Sequence, residues 1–139
     1  MAGIHFSFDN FKQLMELSIG IAQRLDESRA ESFTLLYCDF SGIPIEVVND
    51  SLTQILRNSD AIVNHESDYF FVLPYTDKYG AEIVKKMFDD FFAKFLGSFL
   101  LSYPVDGETT EAIFSNMQDS ASVLLKNDLR CLDRFAKVY

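Results

Sequence analysis

Few residues in this sequence could do nucleophilic, acid–base or soft-metal chemistry. The candidates are two cysteines, Cys38 and Cys131, and two histidines, His5 and His65. The cysteines have neither the number nor the spacing of a disulfide framework or a zinc site. Neither histidine has a set of partners near it in the sequence, so we expect no metal-binding or acid–base role for either. Cys38 falls in an apolar run and is predicted to be a core thiol.

The run that contains Cys38 is the first predicted strand of an α/β domain. A helix is predicted before it, over 8–25, because apolar residues recur there at helical spacing. The strand over 33–38 is apolar apart from Thr34, which favours a central position in a sheet, and it ends at Asp39. A second helix is predicted to begin near Pro44 and to run to Arg57.

A β-hairpin is predicted next, with strands at 61–63 and 69–73 and a polar turn at 64–68. Pro74 closes its second strand, and a long helix ending at Gly97 follows. The apolar side chains of this helix are expected to lie in the core. They are Val84, Met87, Phe88, Phe91, Phe92 and Phe95.

The rest of the chain is predicted to add a strand at 99–101, a helix that ends near 125 and a last edge strand over 131–138. Helices that alternate with strands predict an α/β (α+β) fold. We expect a central mixed or antiparallel sheet that is flanked by helices, with an added N-terminal helix. Residues 1–30 are assigned to that helix and a linker, and residues 31–139 to the main domain.

The apolar pattern of the N-terminal helix does not show what the helix packs against. Its apolar face could pack on its own domain, but Leu17 and Ile19 lie off that face. The alternatives are therefore packing within the domain or contact with a protein partner, which would be a second copy of the chain or an upstream sensor.

Length, charge and composition exclude several classes of protein. The 139 residues suffice for one domain, and 48% of them are hydrophobic, which favours a packed core. A net charge of -9 disfavours binding to nucleic acid and to anionic membrane surfaces. The sequence contains no apolar run long enough to cross a membrane and no signal-peptide profile. We therefore expect no membrane insertion and a cytoplasmic location.

Several short motifs follow one another in a recognisable order. Asp39 ends the first strand, and Arg57 and Asp60 form an Arg-x-x-Asp pattern before the hairpin. The residues 74–77 read Pro-Tyr-Thr-Asp, and 103–109 read Tyr-Pro-Val-Asp-Gly-Glu-Thr. The hairpin between these motifs carries Glu66, Ser67, Asp68, Tyr69 and Phe70. Over about residues 31–138 this ordered set resembles the GGDEF domain family, the diguanylate cyclases.

The resemblance implies a nucleotide-cyclase fold and a place in bacterial cyclic di-GMP signalling. In active members two domains face each other, and each holds one GTP and metal ions. The aspartate that ends the first strand and a carboxylate of the signature turn hold those metals. By this resemblance Asp39 and Asp68 are the metal ligands that the chain retains. They would bind Mg²⁺ only if nucleotide binding survives. Alternatively, Asp39 caps the turn after its strand.

The signature turn departs from the family pattern in ways that predict a loss of catalysis. Glu66 and Ser67 replace glycines that let a nucleotide approach bare backbone, and Glu66 adds a negative charge. Tyr69 replaces a metal-binding glutamate, so a hard cation loses an oxygen ligand. The base-binding and phosphate-binding motifs that the family carries between Asp39 and Arg57 have no match. We expect no catalytic residue and no cofactor.

Arg57 and Asp60 match the inhibitory-site pattern of the family, in which the arginine and the aspartate bind cyclic di-GMP. The residue types suit that ligand, because guanidinium is a planar donor and carboxylate accepts from N–H groups. The arginine could instead stabilise the end of its helix. The leading hypothesis is an inactive GGDEF-like signalling or interaction module. The alternative is a cyclic di-GMP receptor, and an active cyclase that uses GTP is the least favoured.

Overall fold

A five-stranded mixed sheet forms the centre of the protein, whose computed structural model describes residues 2–25 and 31–135. The sheet order is β1-β3-β4-β2-β5, in which β1 runs parallel to β3 and the other neighbours are antiparallel. The predicted fold class is confirmed. The strands are β1 (Ile4–His5), β2 (Phe33–Asp39), β3 (Ala61–His65), β4 (Asp68–Pro74) and β5 (Ser98–Tyr103). The α-helices are α1 (Phe11–Leu25), α2 (Ile45–Ile55), α3 (Lys78–Phe92) and α4 (Thr110–Leu125).

Strand β2 is central, as its apolar sequence predicts. It pairs with β4 on one side and β5 on the other, and all of its residues up to Cys38 are buried. Because side chains alternate along a strand, Tyr37 and Leu36 enter different cores. The core on one face is covered by α1 and α4, and the core on the other face by α2 and α3.

Helix α1 packs within its own domain. Phe11 and Met15 are fully buried in the same core as Phe114 of α4, and the rings of Phe11 and Phe114 meet at 5.1 Å. Ile19, which the sequence pattern placed off the apolar face, is also buried, whereas Leu17 and Ile21 remain exposed. One side of α1 therefore belongs to the core, and another side presents apolar groups to solvent.

The predicted edge strand over 131–138 is wrong for the part that the structure describes. Residues Arg130–Phe135 form a 3-10 helix, and 136–138 lie outside the described ranges. Leu132 and Phe135 are three residues apart, so a helix with three residues per turn directs both into the core. Phe135 stacks on Phe114 with ring centroids 5.1 Å apart.

The prediction for the Phe-rich helix is partly wrong. Helix α3 ends at Phe92 rather than Gly97, because Ala93 adopts a left-handed conformation with φ 56°. Phe88 is fully buried, but Met87 is exposed and Phe95, beyond the helix end, is 85% exposed. The other predicted core residues of this helix, Val84, Phe91 and Phe92, are half-buried.

The caps of the last two long helices follow from residue type. The side chain of Asp77 accepts a hydrogen bond from the Gly80 N–H at the start of α3. The side chain of Thr109 accepts from the Ala112 N–H at the start of α4. Within 2–25 and 31–135, none of the helices combines the length and the apolar character that a membrane crossing requires.

Candidate functional site

The tip of the β3–β4 hairpin is a two-residue turn. His65 pairs with Asp68 in the strand register, so Glu66 and Ser67 form the turn itself. Glu66 has a left-handed backbone with φ 55°, a conformation that glycine adopts with less strain. The position where the family carries glycine thus keeps a glycine-like backbone here, but it bears an acidic side chain.

Tyr69 fills the space behind this turn with an aromatic ring. The residue is 2% exposed and packs against Phe40, with ring centroids 4.9 Å apart. The cavity next to the turn has a volume of about 200 Å³, below the roughly 300–1,000 Å³ of most small-molecule sites. Apolar side chains of Phe40, Ile43, Ile45 and Val48 line it together with Glu66, Ser67 and Tyr69.

Phe70, the last residue of the signature, belongs to the core on the opposite face of the sheet. It is fully buried and packs on Tyr37 and Phe11. Its role in the structure is to anchor β4, because an aromatic side chain buries a large apolar area.

Asp39 and Asp68 face each other across β2 and β4, since they are partners in the strand register. Asp39 caps the turn that follows its strand, and its carboxylate accepts the Ser41 N–H at 2.9 Å. Asp68 accepts a short hydrogen bond of 2.5 Å from the Tyr37 hydroxyl. Burial raises the pKa of Asp68, the Tyr37 hydrogen bond opposes that shift, and the charge of Asp39 adds to it.

Two residues that the sequence analysis did not connect meet beside Asp68. Ligand atoms of His65, Asp68 and Cys131 all lie within 4.8 Å of one another. His65 thus has two potential ligand residues close to it in space, while the expectation that it plays no metal-binding or acid–base role stays a prediction. Cys131 reaches the hairpin because the 3-10 helix packs on the core, and neither its spacing nor its neighbours in the sequence signals this contact.

Arg57 and Asp60 lie together at the start of β3 and bind each other. Asp60 is 2% exposed, and its Oδ1 accepts from Arg57 Nη2 at 2.8 Å and from Nε at 3.2 Å. Its other oxygen, Oδ2, accepts the Arg57 backbone N–H at 2.8 Å. Both oxygens of Asp60 are thus used inside the chain, and this carboxylate closes the loop between α2 and β3.

The Arg57 side chain borders an open cleft of about 820 Å³. Its Nη2 also donates to the Pro74 carbonyl and to the Thr76 hydroxyl, yet the side chain remains 54% exposed. Within the described part of the chain, Nη1 has no hydrogen-bond partner. Lys78 and Tyr79 also line the cleft.

No protein-family model matches this chain, and no curated protein matches it. A solved structure of PelD residues 156–455 from Pseudomonas aeruginosa PA14, in its apo form, resembles it with a TM-score of 0.53 and 14% sequence identity. The match covers 94% of this chain and 48% of the PelD structure, so the chain spans about half the length of that structure. At this identity the likeness concerns the fold. The likeness extends over nearly all of this chain, including its mixed sheet and flanking helices.

Proposed function

We propose that this chain is a catalytically inactive GGDEF-like module that acts by binding partners in cyclic di-GMP-related signalling. The observation that carries the proposal is the buried Tyr69 ring against Phe40, where the family resemblance places a metal-binding glutamate. Tyr69 has a phenol in place of a carboxylate, and burial raises the pKa of that phenol, so it stays protonated and is a poor ligand for Mg²⁺. Its ring also fills the volume beside the turn.

Nucleotide turnover tests the loss of catalysis. The chain is incubated with GTP and Mg²⁺, or with GTP and Mn²⁺, and the products are separated by chromatography. We expect GTP to remain and no cyclic dinucleotide to form. Repeated turnover that survives purification to homogeneity would overturn the proposal.

The exposed side of α1 supports a protein-binding role for the N-terminal helix. Leu17 and Ile21 are one helical turn apart and exposed, although neighbouring positions of the same helix are buried. We propose that a second copy of the chain or an upstream partner covers them.

Light scattering over a range of concentrations tests self-association. We expect a dimer that the double substitution Leu17→Glu, Ile21→Glu converts to a monomer. Gln23→Glu, at an exposed polar position of the same helix, is the matched control and should leave the dimer intact. A wild-type monomer at all concentrations would contradict association through this face.

A second function, cyclic di-GMP binding, is favoured by the cleft beside Arg57. The half-exposed guanidinium has one nitrogen, Nη1, without a hydrogen-bond partner among residues 2–25 and 31–135, and this nitrogen could donate to a phosphate or a guanine edge. The exposed ring of Tyr79 could stack on a base. Asp60 could accept from guanine only by giving up its hydrogen bonds with Arg57. We therefore propose that Arg57, rather than Asp60, would make the main contact.

Isothermal titration calorimetry with cyclic di-GMP tests this second function. Micromolar or tighter binding is expected, with a loss of about tenfold or more in Arg57→Ala, which corresponds to about 1.4 kcal/mol. Lys86→Ala removes an exposed lysine of α3 that does not line the cleft and should bind as the wild type does. The absence of binding heat at several temperatures would contradict cyclic di-GMP binding but would not contradict the proposal of an inactive GGDEF-like module.

A further inference from the structure

The cluster of His65, Asp68 and Cys131 has the composition of a transition-metal site. It offers an imidazole nitrogen, a carboxylate oxygen and a thiol sulfur, with ligand atoms within 4.8 Å of one another. Zinc binds sulfur at about 2.3 Å and nitrogen or oxygen at about 2.0–2.2 Å, so tetrahedral ligands are about 3.5 Å apart. The 4.8 Å limit exceeds that separation, so metal binding would draw the three ligand atoms closer together.

Two rigid elements hold the three side chains. His65 and Asp68 are the last cross-strand pair of the β3–β4 hairpin, so their side chains lie on the same face of the sheet. Cys131 is near the start of the 3-10 helix, whose Leu132 and Phe135 are buried in the core. A cation here would connect the C-terminal segment to the hairpin.

The surroundings orient two of the potential ligands. The Tyr37 hydroxyl donates to Oδ1 of Asp68 at 2.5 Å, which turns the carboxylate and leaves Oδ2 for another partner. The ring of Phe8 packs on the imidazole of His65 with centroids 5.0 Å apart. In the described ranges the ring nitrogens of His65 make no hydrogen bond. Outer contacts of this kind commonly orient metal ligands and strengthen metal binding.

The ligand types distinguish among cations. A thiolate is a soft ligand that Mg²⁺ and Ca²⁺ avoid, whereas zinc accepts sulfur, nitrogen and oxygen together. Three protein ligands would leave a fourth tetrahedral position for water. The acidic neighbours Asp39, opposite Asp68, and Glu66, in the turn, also favour a cation.

We propose that His65, Asp68 and Cys131 bind one zinc ion, with the thiol of Cys131 losing its proton to solvent on binding. This site is separate from the Arg57 cleft and does not depend on the proposed signalling function. It was not expected from the sequence, in which Cys131 and the hairpin are far apart.

Cobalt(II) is the probe for this site, because a cobalt–thiolate bond gives a charge-transfer band in the near-ultraviolet. The untagged chain, reduced and freed of metal, is titrated with Co²⁺ and then with Zn²⁺. We expect the band to saturate at one equivalent of Co²⁺ and to disappear when Zn²⁺ displaces it. Excess Mg²⁺ should leave the band unchanged. No thiolate band at any Co²⁺ concentration would overturn the proposal.

Matched variants identify the ligands. Cys131→Ser should abolish the band, and His65→Ala should weaken Co²⁺ binding by more than the roughly 10- to 100-fold loss that is typical of an outer contact. His5→Ala and Cys38→Ala are the controls for the other histidine and cysteine and should keep the band. Tyr37→Phe should weaken binding by about 10- to 100-fold, because it frees the Asp68 carboxylate. A band that survives Cys131→Ser, or that is lost in His5→Ala as fully as in His65→Ala, would contradict the assignment.

A variant could bind metal poorly because it is destabilised rather than because it lacks a ligand. Thermal unfolding with and without Zn²⁺ separates these two causes. Zn²⁺ should raise the Tm of the wild type and of His5→Ala, since a ligand of the native state stabilises it. The Tm of Cys131→Ser, which exchanges only one atom of the side chain, should not respond to Zn²⁺. An equal Tm increase in the wild type and in Cys131→Ser would contradict a site that includes this thiol.

Discussion

Phe40 and Tyr69 pack ring against ring, with centroids 4.9 Å apart, directly behind the turn of the β3–β4 hairpin. Phe40 follows the last residue of β2, and Tyr69 is the second residue of β4. Their contact joins the ends of two neighbouring strands by apolar packing. This apolar contact stands at position 69, where the sequence resemblance puts a glutamate.

Restoring the glutamate at this position should damage the protein without creating a cyclase. Tyr69→Glu would bury an unpaired carboxylate and lose the contact with Phe40, so the free energy of unfolding should fall by about 3–5 kcal/mol. The measurement is urea denaturation, together with an assay for GTP turnover. Tyr79→Glu, at an exposed tyrosine, should change stability by only about 0.5 kcal/mol. Cyclic dinucleotide formation by Tyr69→Glu would contradict this prediction.

Asp60 should matter for stability whether or not a ligand binds beside it. Asp60→Ala removes the acceptor of the Arg57 backbone N–H and of its guanidinium, and the free energy of unfolding should fall by about 1–3 kcal/mol. Chemical denaturation measures the loss. Asp119→Ala, an exposed aspartate of α4, is the control and should be close to neutral. Equal stability of both variants would mean that the Asp60 hydrogen bonds contribute nothing.

Phe88 and Phe95 form a natural pair for testing where the Phe-rich segment leaves the core. Phe88→Ala should lower the free energy of unfolding by about 3–5 kcal/mol, because the side chain is fully buried. Phe95→Ala should cost about 1 kcal/mol or less, since its main contact is with the Lys85 ammonium, 3.5 Å from the ring centroid. Denaturation of both variants under the same conditions checks the difference, and similar losses would be inconsistent with the helix end at Phe92.

The Cys38 thiol should be unreactive until the protein unfolds. It is fully buried, and burial raises its pKa, so the native state offers neither access nor thiolate. In a Cys131→Ser background, a disulfide reagent at pH 8 should label Cys38 only in denaturant or at the rate of spontaneous unfolding. The denatured chain is the positive control. Complete labelling of the native chain within the mixing time would contradict the burial of this strand.

The raised pKa of Cys38 also predicts a loss of stability at alkaline pH. The folded state keeps the thiol proton to a higher pH than the unfolded state does, so unfolding releases protons above a pH of about 8.5. The contribution of the Cys38 thiol to the free energy of unfolding is therefore complete below pH 8 and decreases as the pH rises further. Cys38→Ala should show a smaller drop in Tm than the wild type between pH 8 and pH 10. Parallel Tm curves would show that the thiol does not contribute.

The local sequence determined most of the helices and strands. The run before Asp39, apolar apart from Thr34, predicts a central strand, because only a strand covered on both faces can bury every side chain. Asp77 and Thr109 mark helix starts because their side chains can accept from free backbone N–H groups. The hairpin follows from two apolar runs around a polar turn, although the strands extend further into that turn than predicted.

Errors in the sequence predictions fall where the local pattern is ambiguous. The Phe-rich segment has apolar residues on several sides, so its sequence does not show which of Phe88 and Phe95 lies in the core. The left-handed backbone of Ala93 ends the helix before Phe95, and only Phe88 is buried. The segment with Leu132 and Phe135 is compatible with a strand or a short helix. Packing against Phe114 selects the helix.

The contacts in the candidate sites also differ in whether local structure or tertiary packing produces them. Arg57 and Asp60 are three residues apart and are brought together by local structure, as their spacing suggested. The hairpin also brings His65 and Asp68 together, but the sequence analysis placed both residues in the turn and did not connect them. The approach of Cys131 to the hairpin is decided only by the tertiary structure. Local periodicity reflects interactions among near neighbours, whereas contacts between distant segments depend on how complete elements pack around a shared core.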